Sequence, residues 1–216
     1  MEDDYYPVEC SDQAFFLNAG IVFDANEVQE HIEEHAVPHS AALLARVRET
    51  QSPYFTGALA RVNASWQNLG QNAKVAAAKA GLRPPEANPF MNNVAQAVEI
   101  VDALDRCADL CRKLAEPGAI ASSSLPVPFE VKAGRAVGFT EAPRGALFHD
   151  LTLDAEGRVT HASILTPTAQ NVANLEADMR LLAEKLVADG AAEDVVRLEI
   201  EKLVRAYDPC LSCSVH

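Results

Sequence analysis

The carboxyl end of the chain carries its most reactive side chains. Cys210 and Cys213 form a Cys-x-x-Cys pair, with Asp208 and a proline before it and His216 after it. Two thiols at this spacing can face a single point, so they suit a soft or borderline metal ion or a redox pair. From these residues alone, a catalytic metal centre, a zinc site and a surface disulfide all stay open.

A second stretch, Glu-Ala-Pro-Arg-Gly at residues 141–145, presents one arginine on a tight, non-helical turn. Arg144 stays protonated and offers five N–H donors. Fixed beside a metal centre, it would bind anionic ligands and hold a dry, polarised pocket. Paired with a nearby carboxylate, it would serve only to stabilise the turn.

Length, composition and charge exclude several classes of protein. The 216 residues, 49% of them hydrophobic, can bury a substantial core, and we predict a single domain over residues 1–216. No apolar run approaches the roughly 20 residues of a membrane span. The net charge of -13 argues against nucleic acid and against an anionic membrane surface. The acidic, aromatic start, residues 1–6, does not resemble a signal peptide.

The five cysteines are too few and odd in number for a secreted disulfide framework, which predicts a reduced, cytoplasmic protein. Cys107 and Cys111 lie one helical turn apart, near an apolar stripe. We interpret them as small buried packing residues rather than as a metal site. Cys10 has no partner at a comparable spacing.

Hydrophobic periodicity predicts a mainly α fold with a small antiparallel β part, an α+β arrangement. The predicted strands lie within residues 5–24 and in a hairpin of residues 147–153 and 158–164, with its turn at 154–157. The predicted helices are 26–35, a second one after Pro38 through Val47, a helical hairpin over 57–81 turning at Gly70, 92–115, one capped by Asn171, and 192–205.

Three histidines, His31, His35 and His39, are spaced four residues apart. On an uninterrupted helix this spacing would stack three imidazoles on one face and indicate a metal site. Pro38 disfavours the helical conformation at Val37 and so breaks the stack. We therefore interpret this region as a solvated, acidic helix end.

The string Asp-Pro-Cys-x-x-Cys-x-x-His resembles the carboxy-terminal signature of the large, catalytic subunit of nickel–iron hydrogenases. Two more strings resemble that family and follow in its order: Glu-Ala-Pro-Arg-Gly at 141–145 and Ile-Leu-Thr-Pro-Thr-Ala-Gln-Asn at 164–171. The details most resemble the cytoplasmic, multi-subunit, bidirectional hydrogenases that exchange electrons with soluble cofactors. The resemblance implies a helical large-subunit fold and reversible oxidation of H2 to protons and electrons.

The resemblance also implies roles for individual residues at a nickel–iron centre. Cys210 would be a terminal nickel ligand, and Cys213 would bridge nickel and iron. Arg144 would lie over the open coordination site, and Arg144 and Thr168 could donate hydrogen bonds to the CO and CN ligands of iron. The remaining implied roles are pocket shaping by Pro143, pairing with the arginine or orientation of the cysteine loop by Asp208, and magnesium binding by His216 and the main-chain carbonyl of Ile164.

One departure from the family pattern is serious, because the family binds its cluster with a second Cys-x-x-Cys that this sequence lacks. Family large subunits are also longer. The chain therefore resembles the C-terminal half of one, without the half that holds the other cysteines, the proton-relaying glutamate and an acidic magnesium ligand. A non-catalytic scaffold subunit of a related redox complex, an inactive truncated fragment and an unrelated zinc or redox protein are the alternatives.

Further expectations follow from the half-subunit interpretation. The partners would be the missing half, an iron–sulfur small subunit and electron-transfer subunits of the diaphorase type. The surface facing the missing half should be unusually apolar and should reach the cysteines. Because family subunits lose a short tail after the motif histidine, the end at His216 indicates a processed form or a tailless member. His216 should then lie buried near Ile164.

Overall fold

The structure, a computed structural model, describes residues 13–16, 21–116 and 129–215. Its α-helices are α1 (Val28–His31), α2 (Ala58–Ser65), α3 (Gln71–Lys79), α4 (Asn92–Leu114), α5 (Pro167–Ala188) and α6 (Glu193–Tyr207). Its strands are β1 (Gln13–Phe16), β2 (Ile21–Asp24), β3 (Ile32–Val37), β4 (Ser40–Val47), β5 (Gly134–Ala142), β6 (Gly145–Leu153) and β7 (Val159–Leu165). The predicted α+β class is confirmed.

The strands form three small antiparallel sheets: β1–β2, β3–β4 and β5–β6–β7. The predicted hairpin is confirmed as β6 and β7, and its turn uses Gly157 at φ 78°. Strand β5 extends this sheet on the other side of β6. Since Ala142 pairs with Gly145, the connection between β5 and β6 is only Pro143 and Arg144. The predicted arginine turn is therefore a two-residue hairpin loop.

Buried apolar side chains join these elements in a few clusters. Leu59, Val62 and Val98 belong to a cluster that packs α2 and α3 against α4. Leu175 of α5 meets Leu203 of α6 in another. Burying each such side chain contributes roughly 1.5–3 kcal/mol, so these contacts fix how α5 and α6 lie together. The end of α6 carries the cysteine motif, and its direction is set by this packing.

The prediction of helices at 26–35 and from Pro38 to Val47 is wrong. The helix in this region is confined to α1, and the chain then forms the β3–β4 hairpin. Leu44 of β4 is buried against Val172 and Ala173 of α5. The alanines and leucines of this stretch favour a helix on their own, but packing against α5 overrides that weak preference.

The three spaced histidines do not form a cluster, as the sequence interpretation expected, although the cause is the hairpin rather than a helix end. His31 ends α1 with its ring 4.5 Å from the ring of Phe23. His35 lies on β3, and His39 in the turn contacts the carboxylate of Glu176 at 2.8 Å. Each imidazole therefore has a different neighbour: Phe23, Glu33 and Glu176, respectively.

The long helix was predicted correctly, but its packing was not. Asp102 is its last buried residue, and Leu104 is 65% exposed. Cys107 and Cys111 are exposed, which contradicts their assignment as buried packing residues. The apolar period continues beyond Asp102, where no other described element packs closely enough against α4 to bury its side chains. Periodicity alone cannot show whether a partner is present.

The helical hairpin over 57–81 and the last helix are also confirmed, whereas the N-cap of α5 was predicted five residues too late, at Asn171 instead of Thr166. Thr166 caps α5 by accepting a hydrogen bond from the N–H of Ala169, and Pro167 is the first helical residue. None of the described helices has the length and apolar character needed to cross a membrane. Cys10, His216 and residues 117–128 lie outside the described residues.

Candidate metal-binding site

The cysteine loop begins where α6 ends, at Asp208. Its backbone adopts φ 49° and ψ 52°, the left-handed conformation that aspartate tolerates better than most residues. This turn directs the following residues away from the helix axis. Cys210 and Cys213 then flank a short 3-10 turn, 5.4 Å apart between Cα atoms, and their sulfurs are joined as a disulfide. The two sulfurs therefore meet at one point.

The first turn of α5 holds this loop. Thr168 is buried, and its Oγ1 accepts a hydrogen bond from the backbone N–H of Cys210 at 3.1 Å. The string Thr-Pro-Thr-Ala-Gln-Asn at 166–171 is buried throughout. This motif therefore packs directly against the cysteine loop. Thr168 thus connects two of the three motifs.

We expect Thr168→Val to destabilise the chain because valine keeps the volume but leaves the Cys210 N–H without its acceptor. The expected loss in free energy of unfolding is about 1–3 kcal/mol. Urea denaturation monitored by circular dichroism measures it. Thr168→Ser keeps the hydroxyl and is the matched control. Equal stability of the serine and valine variants would show that this bond does not hold the loop.

The Glu-Ala-Pro-Arg-Gly motif contributes Arg144, which reaches the same loop from the β5–β6 turn. Its Nε donates to the main-chain carbonyl of Asp208 at 2.8 Å, and its Nη2 donates to Oδ1 of that residue at 3.2 Å. Gln96 of α4 donates to the other carboxylate oxygen at 3.3 Å. Asp208 therefore both pairs with the arginine and turns the chain into the cysteine loop.

Arg144, Thr168, Tyr207 and Pro209 are among the residues that line one small cavity at the start of the cysteine loop. Its volume of 10 Å³ is close to the minimum that holds one water molecule. Arg144 and Thr168 thus converge with the cysteine loop. Pro143, Ile164, Cys210 and Cys213 are not among the residues that line the cavity.

Two further contacts fix the ends of the cysteine loop. Asn92, at the start of α4, accepts from the N–H of Leu59 at 3.1 Å and donates to the carbonyl of Ala206 at 2.8 Å. After the cysteines, Ser214 is fully buried, and its carbonyl accepts from the N–H of Leu43 on β4 at 3.0 Å. The loop is therefore anchored before and after its cysteines.

Tyr207, directly before Asp208, is held by two half-buried polar side chains of α5. Its hydroxyl donates to the carboxylate of Asp178 and accepts from Nδ2 of Asn174 at 2.6 Å. Burial and the bond to Asp178 raise the pKa of Tyr207 above its usual value. The phenol therefore stays neutral near neutral pH and acts as a fixed hydrogen-bonding group.

Sequence reasoning missed Asn92, Asn171 and Tyr207. Asn171 was predicted to cap a helix. Instead, it accepts a hydrogen bond from the N–H of Thr56 at 2.8 Å and donates one to the Thr56 carbonyl at 3.0 Å. A buried amide that satisfies main-chain groups of distant segments leaves no spacing pattern. The available signal was a polar residue beside an apolar helical face, as at Asn92 before Val94 and at Asn171 before Val172.

Of the two residues assigned to magnesium, only Ile164 is among the described residues. Ile164 lies near the end of β7, paired with His149, and its side chain is partly exposed. His216 is outside the described residues, so its expected burial near Ile164 stays a prediction. In the described ranges, no three or more His, Cys, Asp or Glu residues cluster so as to hold a metal ion.

Comparison with known proteins shows the family of this chain. The family model for the nickel-dependent hydrogenase matches residues 48–216, which include all three motifs. The chain belongs to the nickel-dependent hydrogenase family. Its relatives include the alpha subunit of sulfhydrogenase 1 from Pyrococcus furiosus, 39% identical over 204 residues, which are 91% of this chain and 44% of that subunit.

A second relative is subunit beta of the NAD-reducing hydrogenase HoxS from Cupriavidus necator, 35% identical over 127 residues, or 57% of this chain and 25% of that subunit. Among solved structures, an NAD+-reducing [NiFe]-hydrogenase in the H2-reduced state matches with a TM-score of 0.75 and 22% identity. That match covers 97% of this chain and 50% of the other, and it shows the hydrogenase large-subunit fold. The chain spans half or less of the length of these hydrogenases.

Proposed function

We propose that this chain is the C-terminal half of a hydrogenase large subunit and contributes two cysteine ligands to a nickel–iron centre for the reversible oxidation of H2. The observation that carries the proposal is that Arg144 and Thr168 both bond to the cysteine loop, Arg144 through Asp208 and Thr168 through the N–H of Cys210. Arg144 is 64 positions from its partner Asp208, and Thr168 is 42 positions from Cys210. A surface zinc or disulfide motif needs no such contacts from distant segments of the chain.

The donor chemistry of the site fits this centre. Thiolates are soft ligands that suit nickel and iron, and both sulfurs reach the same point. Binding requires the reduced, deprotonated form of Cys210 and Cys213. In our assignment Cys210 would hold nickel as a terminal ligand and Cys213 would hold nickel and iron together, and the bound centre would supply the redox chemistry for H2 oxidation. The other two cysteine ligands belong to the missing half.

Arg144 and Thr168 supply the polar surroundings. The hydroxyl of Thr168 accepts from Cys210, so its own proton is left to donate, and we assign it to the CO and CN ligands of iron. The guanidinium of Arg144 is oriented by Asp208, and we assign it a place over the open coordination site, where it would donate to the same ligands. Pro143 shapes the turn that carries it. A fixed donor in a dry site stabilises developing charge without reorganising.

We assign His216 and the main-chain carbonyl of Ile164 to a magnesium ion. Magnesium prefers oxygen ligands, so the histidine would be its unusual nitrogen ligand. The burial of Ser214 and its bond to Leu43 support the assignment, because they hold the end of the chain against the protein two residues before His216. An acidic ligand from the missing half completes the site.

The partners follow from the same proposal. An iron–sulfur small subunit accepts the electrons, and diaphorase-type subunits pass them to a soluble cofactor; the NAD-reducing relatives support this arrangement. A cytoplasmic location goes with it. The missing half of the large subunit covers the apolar stripe of α4 that is exposed here, which Ile100, Leu104 and Leu114 help to form. A single continuous patch from this stripe to the cysteines stays a prediction.

Purification of the chain with and without its complement tests the proposal. Alone, the chain is expected to hold less than stoichiometric nickel and to take up no H2, because two thiolates are half of a ligand set. Co-production with a polypeptide supplying the missing half, the small subunit and a maturation-competent host should restore both. Elemental analysis and H2-uptake assays measure the result. Tight nickel binding with activity in the isolated chain contradicts the half-subunit proposal, and zinc in the complete assembly contradicts the hydrogenase proposal.

A further inference from the structure

Arg61 of α2 is a buried cation, 4% exposed, whose five N–H donors are all used. Nε and Nη2 donate to the carboxylate of Glu99 at 2.7 Å each. Nη1 donates to Glu141 at 2.8 Å and to the carbonyl of Ala142 at 2.9 Å, and Nη2 also donates to the carbonyl of Pro143 at 2.9 Å. A lysine, with one nitrogen and three donors, cannot make this set of bonds.

Two of these acceptors are the carbonyls directly before Arg144. They belong to the turn between β5 and β6, so Arg61 holds the main chain that carries Arg144. The turn also packs closely against Gly57, the residue before α2. A Cβ on Gly57, at φ 118°, would lie 2.9 Å from the carbonyl oxygen of Arg144, and Asn171 donates to that oxygen at 3.4 Å.

The position of Arg144 cannot come from its own ion pair alone. The side chains of Arg144 and Asp208 are 42% and 40% exposed, and ion pairs exposed to solvent contribute only about 0–1 kcal/mol. The bonds of Arg61 lie in a buried region, where breaking one partner of a charge pair costs several times more. The firmer restraint on the turn is therefore Arg61.

The charges around Arg61 make the restraint sensitive to substitution. Burial raises the pKa of Glu141 above its usual value, and Arg61 opposes this rise by favouring the carboxylate. Glu99 is the second carboxylate on the same guanidinium. Removing the cation would leave two carboxylates together and two turn carbonyls unpaired. A truncating substitution would therefore confound positioning with folding.

We propose that Arg61 is a positioning residue that sets the location of the Arg144 guanidinium relative to the cysteine pair. It acts through the turn carbonyls and touches neither the metal ligands nor the substrate. The inference rests on the proposed hydrogenase function, because only there does the position of Arg144 affect a reaction. It adds α2 to the elements that determine the site.

The test uses the complete, nickel-loaded assembly carrying Arg61→Lys. We expect kcat for H2 oxidation to fall about 10–100-fold, the usual cost of losing a group that orients a metal site, while nickel stays stoichiometric. The infrared stretching bands of the CO and CN ligands should shift, and a crystal structure should show the Arg144 Nε displaced from the Asp208 carbonyl. The double variant with Arg144→Lys should lose little more than Arg144→Lys alone, since both changes act on one group.

Arg106→Lys is the matched control, because Arg106 also binds a buried carboxylate, Asp102, and a main-chain carbonyl, but lies away from the turn. It should lower stability without changing kcat or the infrared bands. Glu99→Gln, which keeps an acceptor for Arg61, is the milder second variant if Arg61→Lys does not fold, and kcat should fall in the same direction. Unchanged kcat and infrared bands in a nickel-loaded Arg61→Lys or Glu99→Gln assembly overturn the positioning role. An unsubstituted assembly without nickel or H2 oxidation would instead refute the proposed function.

Discussion

Replacing Cys213 with serine is expected to abolish H2 oxidation in the complete assembly. A serine hydroxyl is a hard ligand that stays protonated near neutral pH, whereas the proposed bridge between nickel and iron needs a soft thiolate. Since losing a group outside the ligand set already costs about 10–100-fold, we expect more than a 100-fold loss of activity. Nickel content, measured by elemental analysis, should fall with it. Cys210→Ser should do the same.

Cys107→Ser and Cys111→Ser are the matched controls. Both residues are free cysteines on the exposed side of α4, remote in sequence from the motif. They should keep nickel and activity near the level of the unsubstituted assembly. Full nickel occupancy in Cys213→Ser would remove the bridging role, whereas equal losses in Cys213→Ser and Cys107→Ser would indicate a general effect of removing thiols.

Arg144→Lys should lower kcat by roughly 100–1,000-fold while leaving nickel bound, because removing one preorganised donor from a reaction site has an effect of this size. Lysine keeps the charge but loses the fork that joins the carbonyl and the carboxylate of Asp208. Steady-state H2 uptake with an artificial acceptor measures kcat, and elemental analysis measures nickel in the same sample.

The control for this change is Arg158→Lys, at the tip of the β6–β7 hairpin, where the arginine is exposed and pairs with Asp154 and Glu156. The two substitutions alter charge equally and lie in the same sheet. If Arg144→Lys and Arg158→Lys have the same kcat, Arg144 has no part in the reaction. If Arg144→Lys loses its nickel, the residue is structural.

The success of the sequence predictions depended on how local each signal was. The β6–β7 hairpin was predicted because alternation and the glycine at its turn, Gly157, lie within one short stretch. Helix α6 was predicted because its apolar period is regular. The β3–β4 hairpin was missed because Leu44 is buried by α5, more than a hundred positions later in the chain, and no local pattern reports that contact.

The residues of the candidate site were found or missed for the same reason. Cys210, Cys213, Arg144 and Thr168 were found because they stand in strings with characteristic spacing, and the structure brings three of those strings together. Their roles as ligands and donors stay predictions. Arg61 could not be found, because its importance comes from acceptors 80 to 82 positions away in Glu141, Ala142 and Pro143. A buried cation in an amphipathic helix looks, in sequence, like any exposed arginine.

The anchors of the cysteine loop have a consequence for the order of folding. The bond from Asn92 to the carbonyl of Ala206 closes a loop of 114 positions, and the bond from Leu43 to Ser214 closes a longer one. Closing such loops costs chain entropy before the contact returns any stability, so contacts of this kind form late. The thiols therefore reach their final geometry only after β4, α4 and α5 have assembled. In the proposed hydrogenase, metal would therefore be delivered to Cys210 and Cys213 only after these elements have packed.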